Sequence, residues 1–331
     1  MALDFLNKKL VVTEAPHVRT ASTVSEIMLD VIIALLPALI AGVIIFGYRA
    51  SILAAVCVVS CVFFEWAWCK LIKKPVSIGD LSAVVTGLLL AMNLPVTLPL
   101  WMAVIGSLFA IVVVKQFFGG IGNNFMNPAL AARAFLLTSW AQEMTKWAAP
   151  FSKLHIWNNT DAVTTATPLV LRNMDGAEIP SYLNMFLGNI GGCIGEVSAL
   201  AILIGAAYLL WRRVIDWKIP LSYIATVAVI TYVFGGGELF TGNPLYHLLS
   251  GGLLLGAFFM ATDYTTTPYT PKGQVIFGIG CGVLTAVIRL WGGYPEGVSY
   301  SILLMNVASP LIDRVTAPKR FGQKEVGADA K

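Results

Sequence analysis

Long apolar runs recur along the chain, separated by short breaks that carry glycine, proline, asparagine or charged residues. A run of about 20 apolar residues is long enough to cross the hydrocarbon core of a bilayer as a helix. The pattern therefore predicts an all-α integral membrane protein with about ten transmembrane helices. The predicted segments are 27–46, 51–68, 81–92, 101–118, 129–140, 187–210, 219–234, 245–260, 275–290 and 300–315.

One long polar stretch, 141–186, separates the first five segments from the last five. We therefore divide the chain into a first five-helix repeat (1–140), a loop (141–186), a second five-helix repeat (187–315) and a tail (316–331).

The two halves carry similar motifs in the same order, which indicates an internal repeat. Because each half has an odd number of spans, the halves insert in opposite orientations, and an inverted-topology repeat is predicted. The third, fifth, eighth and tenth segments are short or interrupted, and we expect their broken ends to form a cavity. The matching positions are Gly119-Gly120 with Gly292-Gly293, Asn127-Pro128 with Asn306 and Pro310, and Glu26 with Glu196.

The distribution of basic residues predicts the orientation in the membrane. With a cytoplasmic amino terminus, most of the 22 lysines and arginines fall on the cytoplasmic side. This bias favours both termini on the cytoplasmic side and residues 141–186 outside. The basic residues predicted outside are Arg49, Lys146, Lys153, Arg172 and Arg289.

Composition narrows the possible chemistry. Charged residues make up only 12% of the chain and hydrophobic residues 57%, which excludes an ordinary soluble domain. The 5 cysteines form no C-x-x-C pair and the 3 histidines are scattered, so an iron–sulfur cluster, structural zinc or haem pair held by this chain alone is not expected. Neither a phosphate-binding P-loop nor a dinucleotide fingerprint is present. If the protein moves electrons, an organic cofactor is the expected carrier.

A cluster of threonines in the polar stretch is the main candidate for such a cofactor. The segment reads Asp161-x-x-Thr164-Thr165-Ala-Thr167-Pro168. Pro168 fixes its own backbone and lacks an N–H group, which suits a turn that presents Thr167. Taken alone, the string is also typical of an ordinary loop or helix N-cap, and Asp161 of a turn-capping residue.

Taken together, the motifs resemble the D subunit of the Rnf complex, the membrane-bound ferredoxin:NAD+ oxidoreductase. The B subunit of the sodium-translocating NADH:quinone reductase is the related family. The resemblance covers nearly the whole chain. It rests on residues 119–129 (GGIGNNFMNPA), on Asp161-x-x-Thr-Thr-Ala-Thr-Pro-Leu169, on 195–198 (GEVS) and on 259–263 (FMATD).

This resemblance implies a flavoprotein of the bacterial inner (cytoplasmic) membrane. In these families a flavin mononucleotide (FMN) is ester-linked through its phosphate to the last threonine of an S/T-G-A-T motif, which corresponds to Thr167. Thr165 occupies the position where the motif usually has glycine. The implied function is electron transfer between ferredoxin and NAD, coupled to translocation of Na+ or H+. The implied partners are the other Rnf-type subunits, especially the extracytoplasmic flavoprotein subunit, and a flavin transferase. The chain lacks ferredoxin and NAD sites of its own, so it is not a complete enzyme.

A second, non-covalent flavin is expected near residues 119–128, because electrons crossing about 30 Å of hydrocarbon need an intermediate carrier. The resemblance to the quinone reductase subunit implies that this flavin is riboflavin. Asn124 and Asn127 offer donors and acceptors for its polar edge, although they could equally cap broken helices.

Carboxylates inside a membrane are costly and usually functional. The candidates for ion coupling are Asp263, Asp30, Glu26 and Glu196, with a structural ion pair between Asp263 and Lys272 as the rival interpretation. The alternative function is an inverted-repeat solute channel or transporter of urea-like or ammonia-like type without flavin.

Overall fold

The computed structural model describes residues 23–152, 164–172, 179–236, 238–292 and 297–318. These residues form a predominantly helical molecule with a single two-stranded hairpin among them. A 3-10 turn covers Ile78–Asp80, and π-helical turns cover Phe109–Gln116 after α4 and Gly256–Met260 after α12. The helices are α1 (Val24–Phe46), α2 (Tyr48–Leu71), α3 (Ser82–Met92), α4 (Leu100–Leu108), α5 (Pro128–Ser139), α6 (Ala141–Met144), α7 (Pro168–Arg172), α8 (Tyr182–Leu187), α9 (Ala199–Trp211), α10 (Lys218–Phe234), α11 (Pro244–Leu249), α12 (Leu253–Leu255), α13 (Pro271–Trp291) and α14 (Val298–Thr316).

The prediction of an all-α membrane protein is confirmed in its general form. Among the described residues, α1, α2 and α13 are long and apolar enough to cross a bilayer. Shorter apolar helices cover Ser82–Met92, Leu100–Gln116, Ala199–Trp211 and Lys218–Phe234.

Local sequence signals explain where the principal helices begin. The side chain of Thr23 accepts a hydrogen bond from the backbone N–H of Glu26 at 3.3 Å, and the Glu26 carboxylate accepts from the Thr23 N–H at 3.1 Å. This reciprocal capping box starts α1. At α5, the Asn127 side chain accepts from two backbone N–H groups, and Pro128 occupies the first helical turn.

Small residues let the helices pack closely. Gly205 of α9 lies against α1, where an added Cβ would stand 2.0 Å from the carbonyl oxygen of Ala34. At Gly282 of α13, an added Cβ would stand 2.6 Å from the Thr226 side chain of α10. Interfaces of this kind are typical of helices packed within a bilayer, where close backbone approach supplies the attraction.

Three predicted segments differ from the observed elements. The segment 187–210 is wrong at its start, because residues 188–198 are not helical and α9 begins only after the N-cap Ser198. The segment 245–260 is broken between α11 and α12, where Gly251 adopts a positive φ of 55°. The tenth segment is expected to be short or interrupted, but α14 runs unbroken through the exposed Pro310.

The stretch 141–186 carries secondary structure of its own. After the short helix α6, β1 (Trp147–Ala148) pairs antiparallel with β2 (Thr164–Thr165). Helices α7 and α8 follow in the described part of the stretch.

Contacts between connecting segments define two ends of the bundle. At the threonine end, the N–H of Phe151 donates to the carbonyl of Ile45 at 2.8 Å, and the hydroxyl of Thr97 donates to the carbonyl of Lys146 at 2.6 Å. At the aspartate end, which carries Asp263, the Ser25 hydroxyl donates to the Gly79 carbonyl at 2.6 Å.

Candidate functional site

The predicted attachment segment lies at the threonine end and packs against the glycine-rich loop 188–198. Thr164 pairs with Ala148 and Thr165 with Trp147 in the hairpin. A Cβ added at Gly191 would stand only 2.3 Å from Cγ2 of Thr165. Gly191 therefore supplies the space for the side chain of Thr165.

Thr167 is buried, with 4% of its surface exposed, and it immediately precedes α7. Its carbonyl accepts hydrogen bonds from the N–H groups of Val170 and Leu171, both at 3.0 Å. Its hydroxyl oxygen is buried and has no hydrogen-bond partner among the described residues. A buried hydroxyl without a partner typically costs about 1–3 kcal/mol. Asp161 lies outside the described residues.

A buried polar centre lies beneath this segment and joins the two halves of the chain. The guanidinium of Arg133 donates to Asn93 Oδ1 at 3.1 Å, to Ser299 Oγ at 3.1 Å and to Glu196 Oε1 at 3.3 Å. The thiol of Cys193 donates to the backbone carbonyl of Asn93 at 3.1 Å. The non-helical loop 188–198 is therefore pinned to the end of α3 and to α5.

A cavity of about 410 Å³ opens at the aspartate end. Asn124, Asn127 and Asp263 all line it, although the two asparagines lie far from the aspartate along the chain. The amide of Asn127 donates to the carbonyl of Met260 at 3.4 Å, which ties the start of α5 to the end of the broken eighth segment. The remaining wall is mostly apolar and comes from α1, α3 and residues 258–259, with Lys115 and Ser82 as further polar members.

Among the four predicted ion-coupling carboxylates, Asp263 alone reaches this cavity. Its Oδ2 accepts from the hydroxyls of Thr265 at 3.1 Å and Thr266 at 3.3 Å. Burial raises the pKa of the Asp263 carboxyl, and the hydroxyl donors only partly offset that rise. The expected rival ion pair with Lys272 is not found, because no basic group within the described residues lies in ion-pair distance of Asp263.

The other three carboxylates have structural partners. Glu26 belongs to the capping box of α1. Asp30 accepts from Arg212 at 3.1 Å and from the Tyr208 hydroxyl at 2.8 Å, which ties α1 to α9. Glu196 forms the buried ion pair with Arg133.

Two basic residues with buried ion pairs could not be recognised from the hydropathy and charge patterns alone. Hydropathy assigns Arg133 only to a span, and charge counting assigns Lys115 only to a cytoplasmic end, yet both are buried in ion pairs. Lys115 Nζ lies 2.7 Å from Glu65 Oε2 and 2.6 Å from Ser82 Oγ. The sequence signal that could have found both residues is a basic residue within or beside an apolar run. In membrane proteins such a residue usually pairs with another polar group in the protein interior.

Comparison with known proteins agrees with the resemblance inferred from the motifs. The chain matches the family described as "NQR2, RnfD, RnfE family" over residues 11–322. It is 52% identical to the D subunit of the Na(+)-translocating ferredoxin:NAD(+) oxidoreductase complex of Acetobacterium woodii, over 97% of this chain and 98% of the relative. It is 46% identical to the D subunit of the proton-translocating ferredoxin:NAD(+) oxidoreductase complex of Clostridium ljungdahlii, over 95% of this chain and 96% of the relative. It is 40% identical to the D subunit of the ion-translocating oxidoreductase complex of Stutzerimonas stutzeri, over 92% and 94%. The chain therefore belongs to the NQR2, RnfD, RnfE family.

Proposed function

We propose that this chain is the membrane flavoprotein subunit of an Rnf-type ferredoxin:NAD+ oxidoreductase, and that it carries electrons across the bilayer in a complex that translocates Na+ or H+. The relatives at 52% and 46% identity are named as subunits of such complexes. The observation that carries the proposal is the presence of two separate sites at opposite ends of one bundle, the buried Thr167 hydroxyl and the cavity of Asp263.

Thr167 fits the attachment of FMN through a phosphoester. An esterified oxygen has no proton to donate, so the lack of a hydrogen-bond acceptor at this buried hydroxyl ceases to be a cost. Thr164 and Thr165 pair with β1 through their backbones, and Thr167 is the threonine of this cluster whose buried hydroxyl has no partner among the described residues. A bound flavin supplies the electron-carrying chemistry that the side chains of this protein lack.

The cavity at the aspartate end fits a second, non-covalent flavin. Its volume of about 410 Å³ lies within the range of roughly 300–1,000 Å³ for small-molecule sites, and its wall combines apolar side chains with a few amides and hydroxyls. Asn124 and Asn127 stand at the polar edge, where amide groups can pair with the donors and acceptors of an isoalloxazine ring.

Contacts between matched positions support the inverted ten-span arrangement. Positions equivalent by the repeat meet each other, as expected near a pseudo-two-fold axis. With the amide of Asn306 oriented so that its nitrogen donates to the Ile302 carbonyl, its oxygen accepts from the backbone N–H of the equivalent Asn127 at 3.1 Å. Ala34 of α1 contacts Gly205 of α9, and these two helices open the corresponding halves. With the charge bias, this arrangement favours the threonine end outside and the aspartate end in the cytoplasm.

Asp263 is the carboxylate we propose for cation coupling. It lies in the same cavity as the proposed second flavin, it has no basic partner within the described part of the chain, and the hydroxyls of Thr265 and Thr266 donate to it. A carboxylate with neighbouring oxygen ligands suits either a hard cation or a proton. Relatives named as sodium-translocating and as proton-translocating are both similar to this chain, so either ion fits.

The decisive experiment is flavin fluorescence of the denatured chain on a gel, with mass spectrometry of the intact protein. The parent chain, produced with its partner subunits and a flavin transferase, should fluoresce and carry the added mass of one FMN. Thr167→Ala should abolish both signals while the protein still inserts in the membrane, and Thr164→Ala should keep them. A parent chain without covalent flavin would overturn the proposal in favour of the solute channel or transporter.

A further inference from the structure

A second cavity, of about 350 Å³, lies at the threonine end beside α7. Two tyrosines and an arginine dominate its wall, accompanied by Pro180 and Asn243. The tyrosines are Tyr182 of α8 and Tyr246 of α11, and the arginine is Arg172 at the end of α7.

This cavity is tied directly to the attachment segment. The hydroxyl of Tyr246 donates to the backbone carbonyl of Pro168, the residue that follows Thr167. Arg172 lies five residues after Thr167, which at a rise of about 1.5 Å per residue places it roughly 7 Å along the helix axis. The phosphate and ribityl chain of a flavin tethered to Thr167 are long enough to cover that distance.

The charge around Arg172 is positive. Its guanidinium contacts a ring nitrogen of His247 and the carbonyl of Gly235, and it lies 5.8 Å from the centre of the Tyr246 ring. None of these partners is acidic, and no carboxylate within the described residues pairs with Arg172. On the other side of Arg172, a cavity of about 210 Å³ is lined by His247 and Arg289, and Nδ1 of the buried His247 has no partner among the described residues.

We infer that the 350 Å³ cavity seats the isoalloxazine ring of the flavin tethered to Thr167, with Arg172 at the polar edge of the ring. The inference rests on the proposed function, since it requires a flavin at Thr167. The ring of Tyr182, which is 44% exposed, offers the aromatic surface that a flat ring system stacks on, and the buried Tyr246 ring supports Arg172 beside it. A fixed cation beside the ring favours the negative charge that the flavin gains on reduction, so Arg172 raises the reduction potential. Arg172 is thereby a cofactor-binding residue that tunes the tethered flavin.

The test measures the reduction potential of the covalent flavin in the full chain, in membranes that contain the partner subunits. In Arg172→Gln the flavin should remain attached, and its preference for the reduced state should fall about tenfold, which is a negative shift of about 30 mV for a two-electron couple. Arg172→Lys keeps the charge and should restore most of the potential. Lys146→Gln removes an exposed charge at the same end and should leave the potential unchanged.

Three outcomes separate this inference from its alternatives. An unchanged potential in Arg172→Gln, with the flavin still attached, would overturn the inference and leave the proposed function standing. Reduced flavin attachment, with an unchanged potential for the flavin that remains, would place Arg172 at the phosphate or the transferase and would also overturn it. Absence of covalent flavin from the parent chain would remove the proposed function itself.

Discussion

Replacement of Glu196 by glutamine tests whether the buried ion pair with Arg133 holds the two halves of the chain together. The side chains of Arg133 and Glu196 are only 5% and 4% exposed, so the pair is effectively removed from solvent. Glu196→Gln keeps the shape of the side chain and removes its charge, which leaves the arginine without its carboxylate partner.

The expected magnitude follows from that burial. Removal of one member of a buried ion pair typically costs about 3–5 kcal/mol, because the remaining charge stays desolvated. The amide oxygen of glutamine can still accept from Arg133, and the hydrogen bonds to Asn93 and Ser299 remain. We therefore expect the low end of the range, about 3 kcal/mol, which at about 2.1 cal/mol/K of unfolding entropy per residue corresponds to a fall in apparent Tm of about 4 °C.

The assay heats the purified chain in detergent and detects unfolding as the loss of its monodisperse peak in size-exclusion chromatography. Glu143→Gln is the matched control, because the Glu143–Lys146 pair has exposed fractions of 30% and 50% and should contribute less than about 1 kcal/mol. The double variant Arg133→Met/Glu196→Leu removes both charges and should unfold at a higher temperature than Arg133→Met or Glu196→Leu alone. Equal Tm losses in Glu196→Gln and Glu143→Gln, or additive losses in the double variant, would refute the reasoning.

Three further predictions concern the proposed sites and orientation. Because burial raises the pKa of Asp263, its charged form is lost as the pH falls through that raised pKa, so the apparent affinity for the coupling cation in vesicles should weaken as the pH is lowered. Asp263→Asn should abolish that dependence while Thr167 stays flavinylated, and an unchanged pH profile in this variant would leave Asp263 with a structural role only. A membrane-impermeant thiol reagent applied outside should label Lys146→Cys and not Lys74→Cys, against a background of native cysteines that are all buried; the reverse pattern would invert the topology. A gently purified complex should hold two flavins in this chain, and Thr86→Trp, which fills the cavity at the aspartate end, should remove the non-covalent one alone; a single flavin per parent chain would contradict the second site.

Apolar periodicity predicts most of the fold because each helix carries its own signal. Helices α1, α3 and α10 coincide with predicted segments to within three residues at each end. The caps that set these boundaries are local, as in the Thr23–Glu26 box, and can be recognised in the sequence.

The loop 188–198 could not be predicted in the same way. Its apolar residues, such as Ile190, Ile194 and Val197, give the same hydropathy as a helix. The requirement for glycine at the positions between them is explained only by the three-dimensional structure, since Gly191 faces Thr165 and Gly195 lies against Met92. Long-range partners decide this segment, and they are invisible to local propensity.

The candidate sites are likewise predicted in part by local sequence and in part only by long-range contacts. The sequence singles out Thr167, Asn124, Asn127 and Asp263, but the meeting of the last three in one cavity depends on the broken eighth segment touching the start of α5. Arg133 contacts Asn93, Glu196 and Ser299, which lie far apart along the chain, so no local sequence pattern predicts these contacts.

The way in which the broken helices meet favours an electron carrier over a solute pathway. Backbone groups exposed by a helix break inside a membrane must be satisfied by protein or by water in a cavity. Here the end of α3 is satisfied by protein, because the N–H of Gly195 donates to the carbonyl of Met92 at 2.9 Å and the N–H of Ile194 to that of Leu94 at 3.3 Å. The side chains of Met92 and Leu94 are fully buried, and Gly195 packs against Met92, so this break is closely packed. A solute would have to displace this packing, whereas electrons can pass through packed protein, so a break closed by protein fits the proposed electron carrier better than a solute pathway.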